Sequence, residues 1–355
     1  MDTNYTLQLD SSLFQMMRDV IRISLKKPLM LAYFTKAFIR QLRMAKIRRR
    51  WEREGIHVPP FMIASITNRC NLRCKGCYNQ AQHRKTECEM DSEKLIQVIC
   101  EAAELGISFI LLSGGEPLVR PEIAELAARN PSVVFPLFTN GMLIDSDKIK
   151  SFRRNRNLIP VISLEGYGAE TDSRRGEGVY KHLMQQVFKS LKKAGVFFGT
   201  SITVTRENYS TVTGNAFVSE LTKSGCSLFF FVEYIPVSEG TEHLMLDNSQ
   251  HMELPLIMES LRRKYSALFI AFPGDEEQFG GCLSAGRGFV HVSPEGRLEP
   301  CPFAPYSDTS VKETSLKDAL KSDFLRKIRE NHEMLMETSG GCALWEKRDW
   351  VRSLL

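Results

Sequence analysis

The chain of 355 residues is long enough for two domains of ordinary size, or for one large domain with an appendage. Its 43% hydrophobic and 25% charged residues are globular values and exclude a disordered, collagenous or coiled-coil chain. The net charge of +5 is unevenly spread, with +7 on residues 1–60 and −2 on residues 61–355, and no nucleic-acid partner is expected.

The first segment carries apolar residues at helical spacing: Phe14, Met17 and Ile21, then Leu31, Phe34 and Phe38, with a break at Pro28. Two basic amphipathic helices are expected in an extension over residues 1–60. They either cap the core with a solvated basic face or offer residues 11–53 to a membrane surface or acidic partner. From Phe61 the pattern changes to short apolar runs: Phe61–Ile66, Phe109–Leu112, Val133–Phe138, Leu158–Leu164, Val196–Val204 and Leu228–Tyr234. Helical stretches separate them, at Ser92–Leu105, Pro121–Ala128, Lys181–Ala194 and Phe217–Ser224. Six β-then-α units over residues 61–273 predict a parallel sheet, either doubly wound or a barrel. Residues 274–355 read as a small α+β domain. It is rich in glycine (Gly280, Gly281, Gly286, Gly288, Gly340, Gly341), with a hairpin turn at Pro294–Gly296 and one helix near Leu316–Glu330.

Nine cysteines, several closely spaced, do not make a secreted disulfide framework; they point to a reducing compartment and to metal or redox chemistry. No stretch approaches the roughly 20 apolar residues of a spanning helix, and the first twenty residues hold Asp2, Asp10 and Asp19 instead of a basic leader, so a cytoplasmic location is expected. Cys70, Cys74 and Cys77 stand directly after the first strand. Structural zinc takes four ligands, so this set is one short. Three thiolates on a tight loop suit a cubane iron–sulfur cluster with one iron open to a further ligand; zinc and plain buried thiols are the alternatives.

The Cys-x3-Cys-x2-Cys loop resembles that of radical S-adenosylmethionine (radical SAM) enzymes. Ser113-Gly114-Gly115-Glu116-Pro117 is similar to the family's loop that holds the SAM amino group. Phe138-Thr139-Asn140-Gly141 and Ser163-Leu164-Glu165-Gly166, with Arg175 twelve residues after Ser163, resemble further segments around SAM. The resemblance implies a partial (β/α)6 TIM-type barrel, a [4Fe–4S] cluster on Cys70, Cys74 and Cys77, and SAM held by Gly114, Gly115, Glu116, Pro117, Asn140, Ser163, Glu165 and Arg175. Loops at the carboxyl ends of parallel strands converge on one face, which lets motifs distant in sequence surround one ligand. One departure is Gly76, where the family usually has an aromatic residue before the third cysteine; Tyr78 follows it instead.

Cys282, Gly296 and Cys301, followed by Cys342, resemble the opening of a SPASM or twitch auxiliary cluster domain. That resemblance implies a second iron–sulfur cluster with Cys226, a non-cysteine ligand or substrate as the fourth partner; buried thiols are the alternative. Cys88, Cys100 and Cys226 lack ligand spacing, and His291 in an apolar run reads as structural. Glu233 and Tyr234, ending the sixth strand, are candidate catalytic residues facing substrate.

The activity implied is reductive cleavage of SAM to a 5′-deoxyadenosyl radical that abstracts hydrogen from a substrate, with a flavodoxin- or ferredoxin-type electron donor. Peptide or protein maturation leads among the substrate classes. Modification of a lipid or small molecule is the alternative, and a non-catalytic iron–sulfur scaffold or electron carrier is disfavoured by the SAM loops.

Overall fold

Alternating apolar runs and amphipathic helices fold into one sheet of nine strands. The computed structural model describes residues 3–25, 28–82, 88–272, 281–336 and 342–355; Gly280, Gly340 and Gly341 of the expected glycine-rich region lie outside these. The strands are β1 (Phe61–Thr67), β2 (Phe109–Gly114), β3 (Phe135–Thr139), β4 (Leu158–Leu164), β5 (Gly199–Val204), β6 (Leu228–Glu233), β7 (Leu268–Phe272), β8 (Phe289–Val292) and β9 (Leu298–Glu299). Their order is β7-β6-β5-β4-β3-β2-β1-β8-β9, and every neighbouring pair is parallel except β8–β9.

That order decides between the two parallel architectures. A doubly wound sheet reverses its strand order and so has helices on both faces. Here β1 to β7 follow one another without reversal, and right-handed crossovers put the helices on one face while the sheet curls around the other. The fold is a partial TIM-type barrel. The helix Ser92–Leu105 shows how each unit is bounded: Asp91 accepts from the Lys94 amide at 2.7 Å at its start, and Gly106, at φ 96°, ends it in the left-handed region. Leu95, Val98, Ile99, Ala102 and Leu105 form its buried stripe.

Three features differ from the sequence expectation. A seventh parallel strand, β7, adds to the six units after the helix Asn248–Lys264. The helix expected near Leu316–Glu330 is two, Leu316–Ala319 and Asp323–Glu330, because the Ser322 hydroxyl caps the second by accepting from the Leu325 amide at 3.0 Å. Among the described residues the C-terminal region also builds no sheet of its own, since β8 pairs with β1 from Phe61↔Phe289 to Ala64↔Val292. The expected turn at Pro294–Gly296 joins β8 to β9, with Gly296 N donating to Ser293 O at 2.9 Å.

The extension forms two helices, α1 (Thr3–Ile23) and α2 (Pro28–Arg53), the proline opening the second. Their apolar stripe of Leu13, Met17, Val20, Met30, Phe34 and Ala37 is buried against the inner side of the sheet, where Phe34 meets Phe197 at 4.9 Å. This is the capping arrangement. No described helix is long and apolar enough to cross a membrane.

A buried ion pair fixes the extension. Arg48, 3% exposed, reaches the Asp10 carboxylate at 2.5 Å and the Gly106 carbonyl at 2.6 Å. Burial pulls the guanidinium below its usual range, and Asp10 opposes that shift. Asp10→Ala should therefore lower stability by about 3 to 5 kcal/mol, because it strands a buried cation. Asp19→Ala, which removes an exposed partner of Arg22, should change it by less than about 1 kcal/mol. Urea denaturation compares them; equal small losses would show that the buried pair does not anchor α1.

Candidate active site

The carboxyl ends of β1 to β6 open into a cavity of about 950 Å³. Cys70, Cys74 and Cys77 line it from the loop after β1, Gly114 and Gly115 from the end of β2, and Asn140 and Ser163 from the ends of β3 and β4. Arg174 and Arg175 enter from the helix Gly168–Arg175, and Glu233 and Tyr234 from the end of β6.

The cysteine loop is held from three sides. Below it, Gly115 N donates to Thr67 O at 2.7 Å and Glu116 N to Arg69 O at 2.8 Å. A Cβ on Gly114 would sit 2.3 Å from Thr67 O, and one on Gly115 2.2 Å from Arg69 O, so only glycine admits this approach. From β3, the Asn140 side-chain amide donates to Asn71 Oδ1 at 2.8 Å and lies 3.9 Å from Cys70 Sγ. On the far side, Lys75 N donates to Arg174 O at 3.0 Å.

Two buried carboxylates organise the wall from behind and do not line the cavity themselves. Glu116, fully buried, accepts from Leu118 N at 3.0 Å, the Thr139 hydroxyl at 2.7 Å and Asn140 N at 2.7 Å. It ties the β2 loop to the end of β3, and burial pushes its carboxyl above the usual range. Pro117 starts the short 3-10 turn that Glu116 caps and also stays out of the wall. Glu165, 2% exposed, pairs with Arg175 and lies 3.6 Å from Arg174. Both arginines are thereby aimed at the cysteine loop, with Arg175 Nη1 4.0 Å from Cys74 Sγ. Burial raises the Cys74 thiol, and the Arg175 charge acts against that rise. Arg174, adjacent in sequence, was not singled out by spacing, yet it shares Glu165 and lies 5.6 Å from the centre of the Tyr234 ring.

Gly76, at φ 63°, has Tyr234 where its side chain would be: a Cβ there would meet the Tyr234 hydroxyl at 2.6 Å. An aromatic side chain thus stands beside the third cysteine, supplied by β6 and not by the loop. Tyr78 points elsewhere. It is bonded to Ser65 and Ser113 and packs on Phe303 at 5.3 Å, and burial pushes its hydroxyl up to about 12. Beneath it, His291 bridges Ser65 at 2.8 Å and Glu299 at 2.9 Å, all buried, which ties β1, β8 and β9 together. Apolar strand context marked His291 as structural; its acidic partner lies eight residues away, beyond any local spacing signal.

Cys282 and Cys301, both buried, and Cys342 line the same cavity on its C-terminal side. Cys226 does not: it packs in the helix-facing core with its thiol 3.4 Å from Leu228 O, so it is not placed as a further ligand. Cys88 is exposed and Cys100 half-buried. Among the described residues no three His, Cys, Asp or Glu side chains are gathered at the spacing of a single metal ion. Glu233 faces the cavity with Oε2 3.1 Å from His251 Nδ1, a partner from the helix Asn248–Lys264 that no local spacing pairs with it.

Gly76→Ala should cost about 1 to 2 kcal/mol for the left-handed backbone alone, and more for the contact with Tyr234. In a Tyr234→Ala background that second part should vanish, leaving a coupling of at least about 0.5 kcal/mol in a double-mutant cycle. Strict additivity would mean that Tyr234 does not occupy this space. Glu116→Gln places an amide donor against three donors and should cost about 1 to 3 kcal/mol in denaturant unfolding; an unchanged midpoint would contradict the saturated carboxylate.

The Radical SAM superfamily profile matches residues 64–213. An AdoMet-dependent heme synthase of Methanosarcina barkeri (strain Fusaro / DSM 804) is 24% identical over 320 residues, covering 82% of this chain and 89% of that one. A PqqA peptide cyclase of Gluconobacter oxydans (strain 621H) is 25% identical over 304 residues, covering 82% and 84%. Among solved structures, Streptococcus suis SuiB superposes with a TM-score of 0.64 at 16% identity, covering 88% of this chain and 77% of that one. The enzyme anSMEcpe with bound AdoMet gives 0.60 at 18% identity, covering 79% and 83%. Residues 64–213, which carry the three-cysteine loop, the paired glycines and most of the partial barrel, are thus similar to the Radical SAM superfamily.

Proposed function

We propose that Cys70, Cys74 and Cys77 hold a [4Fe–4S] cluster whose fourth iron takes SAM, and that the enzyme abstracts hydrogen from a substrate carbon. The observation that carries this is convergence: three free thiols, a side-chain-free backbone wall at Gly114–Gly115 and two half-buried arginines face one cavity. The donor set suits the group, since thiolates hold such clusters. The buried Nε atoms of Arg174 and Arg175 have no protein partner beside them. When bound, the cluster and SAM supply reductive cleavage of the sulfonium carbon–sulfur bond and a 5′-deoxyadenosyl radical; the electron comes from a low-potential flavodoxin- or ferredoxin-type donor.

The chain's own residues bind and orient. Arg175, with Arg174 beside it, offers a charge-assisted donor pair to the SAM carboxylate, and Ser163 a hydroxyl to its ribose. The Gly114–Gly115 backbone receives the amino group. Glu165 keeps the two arginines in place, and Glu116 does the same for Asn140. Tyr234 closes the wall next to the cluster loop and shields it from water. Cys282, Cys301 and Cys342 are proposed to hold an auxiliary cluster on the opposite side of the cavity. Peptide or protein maturation is the substrate class supported by relatives such as PqqA peptide cyclase. A lipid is the second reading, favoured by the apolar lining of the lower cavity.

Anaerobically reconstituted protein should cleave SAM to 5′-deoxyadenosine under reduction, and replacing Cys70, Cys74 and Cys77 by Ala should abolish it. Undiminished cleavage by that variant would sink the assignment. The same variant should keep about four irons if the auxiliary cluster is a cubane, whereas retention of none would remove that cluster. Arg175→Ala should weaken SAM binding roughly 10- to 150-fold, matching a charge-assisted pair of about 1.5 to 3 kcal/mol. A larger loss in Arg174→Ala would exchange the roles of the two.

A further inference from the structure

The inside of the barrel is only partly filled: α1 and α2 pack on part of its inner face and leave a cavity beside them. TIM-type barrels pack their interior with layers of branched side chains. Here the outward-facing Met62, Ile110, Leu112, Leu137 and Phe231 are fully buried under the helices. The inward-facing Ile63, Leu111, Phe138, Val232, Ile270 and Phe272 are only half-buried and line the cavity, as do Phe109, Ile159 and Phe230, which are buried in the cluster with α1 and α2. Above them, toward the cysteine loop, the inward positions turn polar, at Ser65, Ser113, Asn140, Ser163, Ser201 and Thr203. Opposite the sheet, Leu13, Met16, Met17, Val20 and Ile23 of α1 complete the apolar wall, with the polar Ser12, Gln15, Asp19 and Arg22 of the same helix beside them. The cavity thus grades from charged and hydroxylic at the cysteine loop to hydrocarbon at α1, and methionines give that end an adaptable surface.

We propose that this lower half is a binding site for the hydrocarbon chain of an amphiphilic lipid, held so that a chain carbon comes under the cysteine loop. The inference takes the hydrogen-abstraction reading as given and names its substrate class. Two observations favour a lipid chain over a peptide. Apart from the outer edge of β7, which pairs on one side only, the backbone groups of the surrounding strands are engaged in the sheet ladders. An extended peptide would bring one N–H and one C=O about every 3.3 Å into a wall without partners, each costly to bury unpaired. A hydrocarbon has no such groups, and apolar cavities take apolar ligands readily. Independently, the outer face of α2 exposes Ile39 (48%) and Leu42 (43%) among the exposed cations Lys36, Arg43 and Lys46. That combination suits contact with an anionic lipid surface beside the helix pair that walls the cavity.

The experiment uses the full chain and a fluorescent conjugated-polyene fatty acid. Saturable one-to-one enhancement, displaced by palmitate but not by a soluble Leu- and Phe-rich peptide, is expected. Leu111→Trp and Ile270→Trp, checked for folding by thermal melting, should weaken the probe at least about tenfold by filling the cavity. Should either variant unfold, competition by saturated acids from decanoate to arachidate on the wild type decides, because a bounded cavity gives an affinity that stops rising with chain length. Absence of saturable binding, equal displacement by the peptide, unchanged affinity in folded variants or an affinity rising without limit would each overturn the site. Cosedimentation with anionic and neutral vesicles assigns the source: salt-sensitive binding to anionic vesicles marks a membrane lipid, and probe binding without vesicle binding marks a free chain. SAM binding measured by equilibrium dialysis on the same preparation tests the radical SAM reading apart from this one. Probe binding without SAM binding would sink that reading and leave the chain site standing.

Discussion

A backbone contact with no room for a Cβ sets the geometry of the whole upper face. Where β1 and β2 run out, Gly114 and Gly115 lie directly against Thr67, Asn68 and Arg69, the residues that launch the cysteine loop. Any side chain at Gly115 would meet the Arg69 carbonyl at 2.2 Å, so it would push the loop and all three thiols away from the ends of β3 and β4. The glycines therefore act twice. They leave a bare peptide wall facing the cavity, and they fix the distance between the thiol-bearing loop and everything placed by the neighbouring strands.

The second layer of the site is electrostatic and lies out of reach of the cavity. Glu116 and Glu165 are both fully enclosed, and neither faces the ligand volume. A buried carboxylate is tolerable only where donors satisfy it, and each has recruited donors from a different element. Glu116 takes two backbone amides and a hydroxyl, and Glu165 takes two guanidinium groups. Residues that the sequence pattern groups with the SAM-facing segments thus do part of their work by positioning Asn140, Arg174 and Arg175.

How much of this was legible in the sequence follows from the range of each interaction. The strand Leu158–Leu164 and the helix Ser92–Leu105 were readable to the residue, because a hydrophobic run and a capped 3.6-residue stripe are local signals. The cysteine loop and the paired glycines were readable for the same reason. Unbroken strand order distinguishes a barrel from a doubly wound sheet only once the pairings are known. β7 follows a helix whose internal Pro255 masks its pattern, so a seventh unit was not visible. The Glu233–His251 and His291–Glu299 pairs join groups eighteen and eight residues apart and leave no periodic trace. At Gly76 the sequence displayed a departure without its remedy, since Tyr234 lies far away in the chain and meets the loop only after the barrel has curled.

Charge explains why the arginine pair sits on the thiol side of the cavity. Burial alone favours the neutral thiol at Cys70 and at Cys74, so a metal bound there would have to displace protons against the environment. Arg175 works in the opposite direction at Cys74, and it is held fully charged by Glu165, whose attraction with that of Cys74 outweighs the effect of its own burial. One carboxylate shared between two guanidinium groups leaves a net positive charge next to three thiols. The lower cavity needs less of such balance, because the strand residues from Ile63 to Phe272 that line it are apolar and its closing helix presents leucine, methionine and valine, with Asp19 and Arg22 paired at its margin. The same curled sheet thus separates a region that stabilises anions from one that excludes water, and a substrate spanning both would expose to the reactive end only the part of itself that reaches the hydroxyl layer.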